Sequence, residues 1–351
     1  MVGDSSSPRA VGIWLLVCCA LVAIMVCVGG LTRLTHSGLS MVEWKPLTGF
    51  LPPLNQADWE SLFAAYRTSP EFLEINRNMT LESFKGIFWL EFIHRVIGRL
   101  VGLAFALPFL WFLIRGQLAR CLVWRLVGFF ILGGLQGVMG WYMVMSGLVD
   151  RPDVSHYRLA AHLGLAFLIF ALMFRQALAL LDPFARHAEV TAGPLRLPTR
   201  LLLGLVSVTV IAGAFVAGLD AGLSYNTFPL MGGQLIPDNL GHLDPWYLNP
   251  LENTVMVQFD HRVLALTTTS LALWLGWQGR NEIAFPVLAL VAVVQLSLGI
   301  LTLLLEVPVA LGSLHQMGAL ALFTATLWAL HRIRPIPIST FLDKGVPCPV
   351  R

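Results

Sequence analysis

Eight apolar stretches, each long enough to cross a hydrocarbon layer about 30 Å thick at roughly 1.5 Å per residue, leave this chain few folds to choose from. They run 11–32, 87–113, 123–145, 158–180, 200–219, 256–278, 283–305 and 308–331. Backbone polar groups in lipid must be satisfied internally, so spans of this length are helices. The expected fold is all-α: a polytopic membrane protein with eight transmembrane helices. Of 351 residues 56% are hydrophobic and 12% are charged, whereas a soluble domain carries roughly 25% charge. That excludes an ordinary globular protein.

Lys and Arg set the expected orientation. With the N-terminus in the cytoplasm, Arg115, Arg120, Arg186, Arg196, Arg280, Arg332 and Arg334 all fall on the cytoplasmic side. The opposite connections 220–255 and 304–308 contain neither residue, as the positive-inside rule requires. The net charge of +3 reflects this topology, and no nucleic-acid partner is expected. The first span exceeds a signal-peptide core and no small-x-small cleavage site follows it, so it reads as a retained anchor. Without an Arg-rich presequence, the expected location is a bacterial inner (plasma) membrane. Both termini are then cytoplasmic.

The chain repeats itself. Gly29-Gly30 leads to Ser37-Gly38-Leu39-Ser40 after span 1, and Gly213-Ala214 leads to Ala221-Gly222-Leu223-Ser224 after span 5. Span 2 opens Glu91-Phe92-Ile93-His94-Arg95-Val96, and span 6 opens Gln258-Phe259-Asp260-His261-Arg262-Val263. Spans 3 and 7 share Gln136-x-x-x-Gly140 and Gln295-x-x-x-Gly299; spans 4 and 8 each carry an early histidine, His162 and His315. Four spans per half is an even number, so the two halves are parallel repeats about an axis along the membrane normal. The expected organisation is a cytoplasmic tail 1–10, a four-helix bundle 11–182, a cytoplasmic linker 183–199, a second bundle 200–331 and a cytoplasmic tail 332–351. The long outer loop 35–85 is aromatic, and Asp58 and Ser69-Pro70 read as helix starts within it.

An imidazole inside a membrane span is costly and by default marks function. His94 with His162, and His261 with His315, form one pair per half near the outer face, the pattern of a bis-histidine iron porphyrin. A helix–helix hydrogen bond is the alternative for any one of them. No Cys-x-x-Cys-His occurs, so such a porphyrin would be held by ligation and packing alone. The cysteines (Cys18, Cys19, Cys27, Cys121, Cys348) avoid the outer loops, and no structural disulfide is expected. Arg95 and Arg262 directly follow a ligand histidine and either pair with porphyrin carboxylates or snorkel to head groups.

The halves differ at one position that matters chemically. Glu91, three residues before His94 and on the same helix face, is matched by Gln258, which cannot ionise. A reacting centre needs an acid–base group and an electron relay does not, so the first half is assigned as the reacting site. A structural Glu91–Arg95 ion pair is the alternative.

These residues, with Thr32-Arg33-Leu34-Thr35, Ala217-Gly218-Leu219-Asp220 and Asn226-Thr227-Phe228-Pro229-Leu230-Met231, make the chain similar to the haem A synthase family along nearly its whole length. The resemblance implies an oxidoreductase that converts a methyl group of haem O into the formyl group of haem A. It implies that Glu91, His94 and His162 serve the substrate haem O and its iron, and that His261 and His315 ligate a resident haem b. One family branch has a cysteine pair in outer loops; this chain lacks it and resembles the proteobacterial and mitochondrial branch. The expected partners are membrane lipid, an electron acceptor still to be identified, the haem O synthase and a second copy of the chain. A di-haem b-type cytochrome of quinol-linked electron transfer is the alternative function, with a parallel-repeat transporter behind it.

Overall fold

The computed structural model describes residues 8–44, 49–149, 152–182 and 189–334. Among these the regular structure is helical, with no strand beyond an isolated Met231–Gln234 bridge. The helices are α1 (Pro8–Leu34), α2 (Gln56–Tyr66), α3 (Pro70–Glu74), α4 (Leu81–Ile114), α5 (Arg120–Val149), α6 (His156–Leu181), α7 (Glu189–Gly218), α8 (Asn249–Glu252), α9 (Thr254–Gln278), α10 (Ala284–Leu304) and α11 (Val309–Arg332).

Seven of them (α1, α4, α5, α6, α7, α10 and α11) are long and apolar enough to cross a membrane. The predicted span 256–278 is present as α9, but Asp260, His261, Arg262 and the run Thr267 to Ser270 dilute its hydropathy below that of the other seven. It nevertheless packs against both α7 and α10. Large apolar side chains such as Ile114, Trp124, Leu201 and Leu290 stand exposed on the helix exteriors. A soluble monomer rarely exposes such a surface. This is a multi-pass membrane protein.

The packing follows the repeat. α1 and α5 each contact α4 and α6, and α7 and α10 each contact α9, with α11 packed against both α7 and α10. The two groups of four meet where α1 touches α11 and where α6 touches α7 and α11. Leu15, Leu126, Leu202, Leu275 and Leu288 are fully buried in the shared apolar core. Even the backbone repeats: His36 (φ 50°) and Asp220 (φ 51°) follow the ends of α1 and α7 at equivalent positions, both left-handed. Non-glycine residues seldom adopt that conformation, so its recurrence fixes the alignment of the halves.

Local capping explains most boundaries. Ser69 accepts from the Phe72 amide with Pro70 in the first helical position, as expected. The other predicted start moves: Asn55, not Asp58, caps α2, and its Oδ1 accepts from the Asp58 amide at 2.9 Å. Both side chains can cap, and the sequence does not rank them. Cys18, Cys19 and Cys27 are free. Cys121, in the first turn of α5, is disulfide-bonded, which corrects the expectation of no disulfide. Bridging requires only that two Cα atoms approach to about 6 Å, and sequence position does not reveal that.

Candidate functional site

α4 and α9 carry the central residues on one helical stripe each. In α4, Arg95 lies one turn after Glu91, and its Nε donates to Glu91 Oε1 at 2.6 Å. Its two terminal nitrogens donate to the main-chain carbonyls of Glu43 (2.8 Å) and Met41 (2.9 Å) in the outer loop. Arg262 in α9 donates in the same way to Thr227 and Tyr225, both at 2.8 Å. Met41 and Glu43 are the repeat equivalents of Tyr225 and Thr227, so both arginines clasp the same two carbonyls of their own outer connection. Neither of the roles expected from sequence includes this one.

The exchange of Glu91 for Gln258 changes what lies around that clasp. Glu91 is almost fully buried; Oε1 is held by Arg95, and Oε2 stands 3.7 Å from His94 Nδ1. Gln258, equally buried, turns its amide nitrogen to the Tyr225 carbonyl at 3.1 Å and leaves Oε1 without a partner. Arg262 Nε, which has no carboxylate to meet, is buried and unpartnered as well. Arg99, one turn beyond Arg95, lies over the Phe50 ring at 5.2 Å.

The structure places His261 and His315 ring to ring. The rings of His261 and His315 have centroids 6.4 Å apart and planes at 87°. Two imidazoles gripping one iron, each nitrogen about 2 Å from the metal, place their ring centres about 6 Å apart. In the first half, His162 lies within electrostatic reach of both His94 and Glu91. Of the other histidines, His156 is buried with Nε2 3.6 Å from Glu252.

Each of the four rings stands over a glycine of a neighbouring helix. A Cβ at Gly29 would lie 3.3 Å from His94 Nε2, and one at Gly140 would lie 3.2 Å from His162 Cε1. The corresponding distances are 3.1 Å from Gly213 to His261 and 2.7 Å from Gly299 to His315. One turn before two of these glycines stand Gln136 and Gln295, whose amides contact His162 and His315. These glycines and glutamines are visible in sequence as repeat markers, but sequence assigns the glycines only to close packing. Their role as floors beneath the imidazoles needed the helix pairing.

A profile of the cytochrome oxidase assembly protein family matches residues 12–327. The chain belongs to that family. Among its curated relatives, the haem A synthase of Nitrosospira multiformis is 52% identical over 335 residues, covering 93% of this chain and 94% of the relative. That of Rhodospirillum centenum is 51% identical over 339 residues (95% and 90%), and that of Wolbachia pipientis wMel is 42% identical over 337 residues (95% and 96%). The four histidines and the four floor glycines all lie inside the matched range.

Proposed function

We propose that this chain is a haem A synthase, a membrane oxidoreductase that converts a methyl substituent of haem O into the formyl group of haem A. Relatives bearing that name align over nine-tenths or more of both chains. The observation that carries the assignment of roles is the replacement of Glu91 by Gln258 within otherwise equivalent surroundings. His94 and His162 hold the substrate porphyrin in the first half. His261 and His315, with ring centroids at the spacing of an iron sandwich, hold a resident haem b. When bound, that haem supplies one-electron redox chemistry.

The residues of the first half then divide the work. Arg95 fixes Glu91 Oε1 and leaves Oε2 as the atom that accepts a proton from the hydroxylated methyl carbon, a carboxylate positioned as general base. Its position 3.7 Å from His94 Nδ1 favours the tautomer that keeps the proton there and leaves Nε2 free for the substrate iron, as carboxylates behind metal-bound imidazoles do. Two successive two-electron oxidations, each adding one water oxygen and releasing two protons, with the electrons passing to the electron acceptor, take the methyl carbon through the alcohol to a hydrated aldehyde, which loses water. Arg95 and Arg262 each use part of a five-donor guanidinium on the outer connection, and the remaining donors serve the porphyrin carboxylates. The two groups of four helices act as two units with α9 as the eighth span. The porphyrins lie towards the outer face of a bacterial inner membrane with both termini cytoplasmic. An electron acceptor, and the haem O synthase as supplier of substrate, complete the assembly.

Glu91→Gln tests the reading. Haem content stays near that of the wild type while haem O accumulates at the expense of haem A in extracted pigment. Unchanged haem A output in that variant removes Glu91 from the reaction. A wild-type chain that carries only haem b in both halves points instead to a quinol-linked cytochrome.

A further inference from the structure

Gln136 and Gln295 occupy equivalent places, one turn before the floor glycines Gly140 and Gly299 on α5 and α10. They meet their histidines differently. Gln295 Nε2 stands 3.2 Å from Nδ1 of His315, and Gln295 Oε1 is buried without a partner. Turned so that this oxygen faces Nδ1, the amide accepts the Nδ1 proton and leaves the Nε2 lone pair free to bind metal. Amide orientation follows from such networks and is set by the proton positions. The Gln136 amide nitrogen instead donates to the His162 main-chain carbonyl at 3.1 Å, which fixes which end of the amide faces the ring. The same nitrogen stands 3.4 Å from His162 Nε2, while His162 Nδ1 and, as in Gln295, the amide Oε1 are buried and unpartnered.

The two amides therefore address opposite nitrogens. Behind Nδ1, an acceptor holds the ring in the metal-binding tautomer and raises its basicity. At Nε2, a donor occupies the lone pair that would bind iron, and it must be displaced before ligation occurs.

We propose that Gln136 and Gln295 are positioning residues of opposite sense: Gln295 locks His315 for permanent ligation, and Gln136 caps His162 so that the porphyrin of the first half exchanges. The inference rests on the assignment of one substrate and one resident porphyrin. It explains how two cradles of common origin come to hold one group briefly and the other throughout.

The test uses the full-length chain in detergent, loaded with haemin (ferric protoporphyrin IX) where a site is empty, with apomyoglobin as acceptor for released pigment. Gln295→Leu should speed loss from the C-terminal site by about tenfold, the lower end of what outer partners of metal ligands contribute. Gln136→Leu should slow loss from the N-terminal site by up to about tenfold, as removal of one competing hydrogen bond allows. The midpoint potential of the C-terminal haem supplies a readout that mere packing would not move in two directions. It should rise in Gln295→Leu, which loses the acceptor, and fall in Gln295→Glu, which strengthens it. Gln136→Asn, polar but too short to reach Nε2, should reproduce the slower loss if the leucine variant misfolds. Loss rates that move in the same direction at both sites overturn the proposal, as do potentials that shift alike in Gln295→Leu and Gln295→Glu. The identity of the pigment in the wild-type chain reports separately on the synthase reading. A chain with haem b in both halves sinks that reading, whereas the sign of the two glutamine effects judges this one.

Discussion

In the first half a carboxylate lies beside the histidine of α4; in the second an amide takes its place beside the histidine of α9. Around that exchange the two regions keep the same parts: an arginine clasping two loop carbonyls, a glycine under each ring and a glutamine at the second histidine. The charge differs. Arg95 is neutralised by Glu91 at 2.6 Å, while Arg262 has no carboxylate partner among the described residues and keeps a buried, unpartnered Nε. A partly buried cation without a counter-ion favours an anionic ligand, and a porphyrin brings two carboxylates. On the proposed reading, the second half would gain its counter-ion from a bound porphyrin, whereas the first already has one in Glu91. On that reading, the Glu91/Gln258 exchange, together with the two glutamines, is what distinguishes a holding site from a turnover site.

The strongest way to break this comparison is to remove one ligand from each half. His261→Ala should abolish the resident pigment and most of the Soret absorbance that survives purification. His94→Ala should retain it and lose haem A production. Equal pigment loss in the two variants, read as haem per chain, removes the distinction between holding and turnover.

Exchanging the acidic position comes next. Gln258→Glu places a carboxylate beside Arg262 and removes the incentive for an anionic ligand, so resident haem should dissociate about tenfold faster, in line with charge-assisted contacts of roughly 1.5–3 kcal/mol. The reciprocal double variant, Gln258→Glu with Glu91→Gln, should not make haem A, because the reacting porphyrin still meets the first-half ligands, which then lack their carboxylate. A double variant that produces haem A at the wild-type rate would show that the halves are interchangeable.

The floors give a graded comparison. A Cβ at Gly299 would come within 2.7 Å of His315, and one at Gly29 only within 3.3 Å of His94. Gly299→Ala should therefore tilt its imidazole and broaden the electron paramagnetic resonance signal of the resident haem, while Gly29→Ala changes it little. Similar spectra from the two variants would mean that the rings have freedom the packing denies them.

Hydropathy and repetition made the frame readable before any coordinates. The four histidines, Glu91 and Gln258 could be picked out because buried polar groups in lipid are rare. The Arg95 and Arg262 clasps could not, because they depend on where loop carbonyls point, and a sequence carries no record of that. Nor could Gln136 and Gln295 be separated from ordinary packing residues: their meaning lies in which imidazole nitrogen they face. α9 shows the opposite limit. Its polar Asp260, His261 and Arg262, two of them proposed site residues, weaken the very hydropathy by which a span is recognised.

The outer connections provide the last contrast. In the first, Glu71 is buried among aromatic rings, accepts from Tyr66 Oη at 2.9 Å and is held by no cation among the hydrogen bonds and ion pairs of the described residues. Burial pushes its carboxyl up to about 7 and raises the Tyr66 phenol too. In the second, buried Asn249 and Asn253 hold the turn through amides that do not titrate. A carboxyl whose folded value lies above its unfolded one stabilises the fold fully at low pH, and that stability is lost as pH rises from about 4.5 to about 7. Residues 56–74 should therefore be cleaved by added protease roughly a few-fold faster at pH 7.5 than at pH 5, after correction for the protease's own pH profile. The segment 219–253 should show no such change. Glu71→Gln, which keeps a group for Tyr66 to bond and cannot ionise, should flatten the first profile near its low-pH level. A profile that persists in that variant moves the titrating group elsewhere in the outer segment and leaves the aromatic cluster, not Glu71, as what holds it shut.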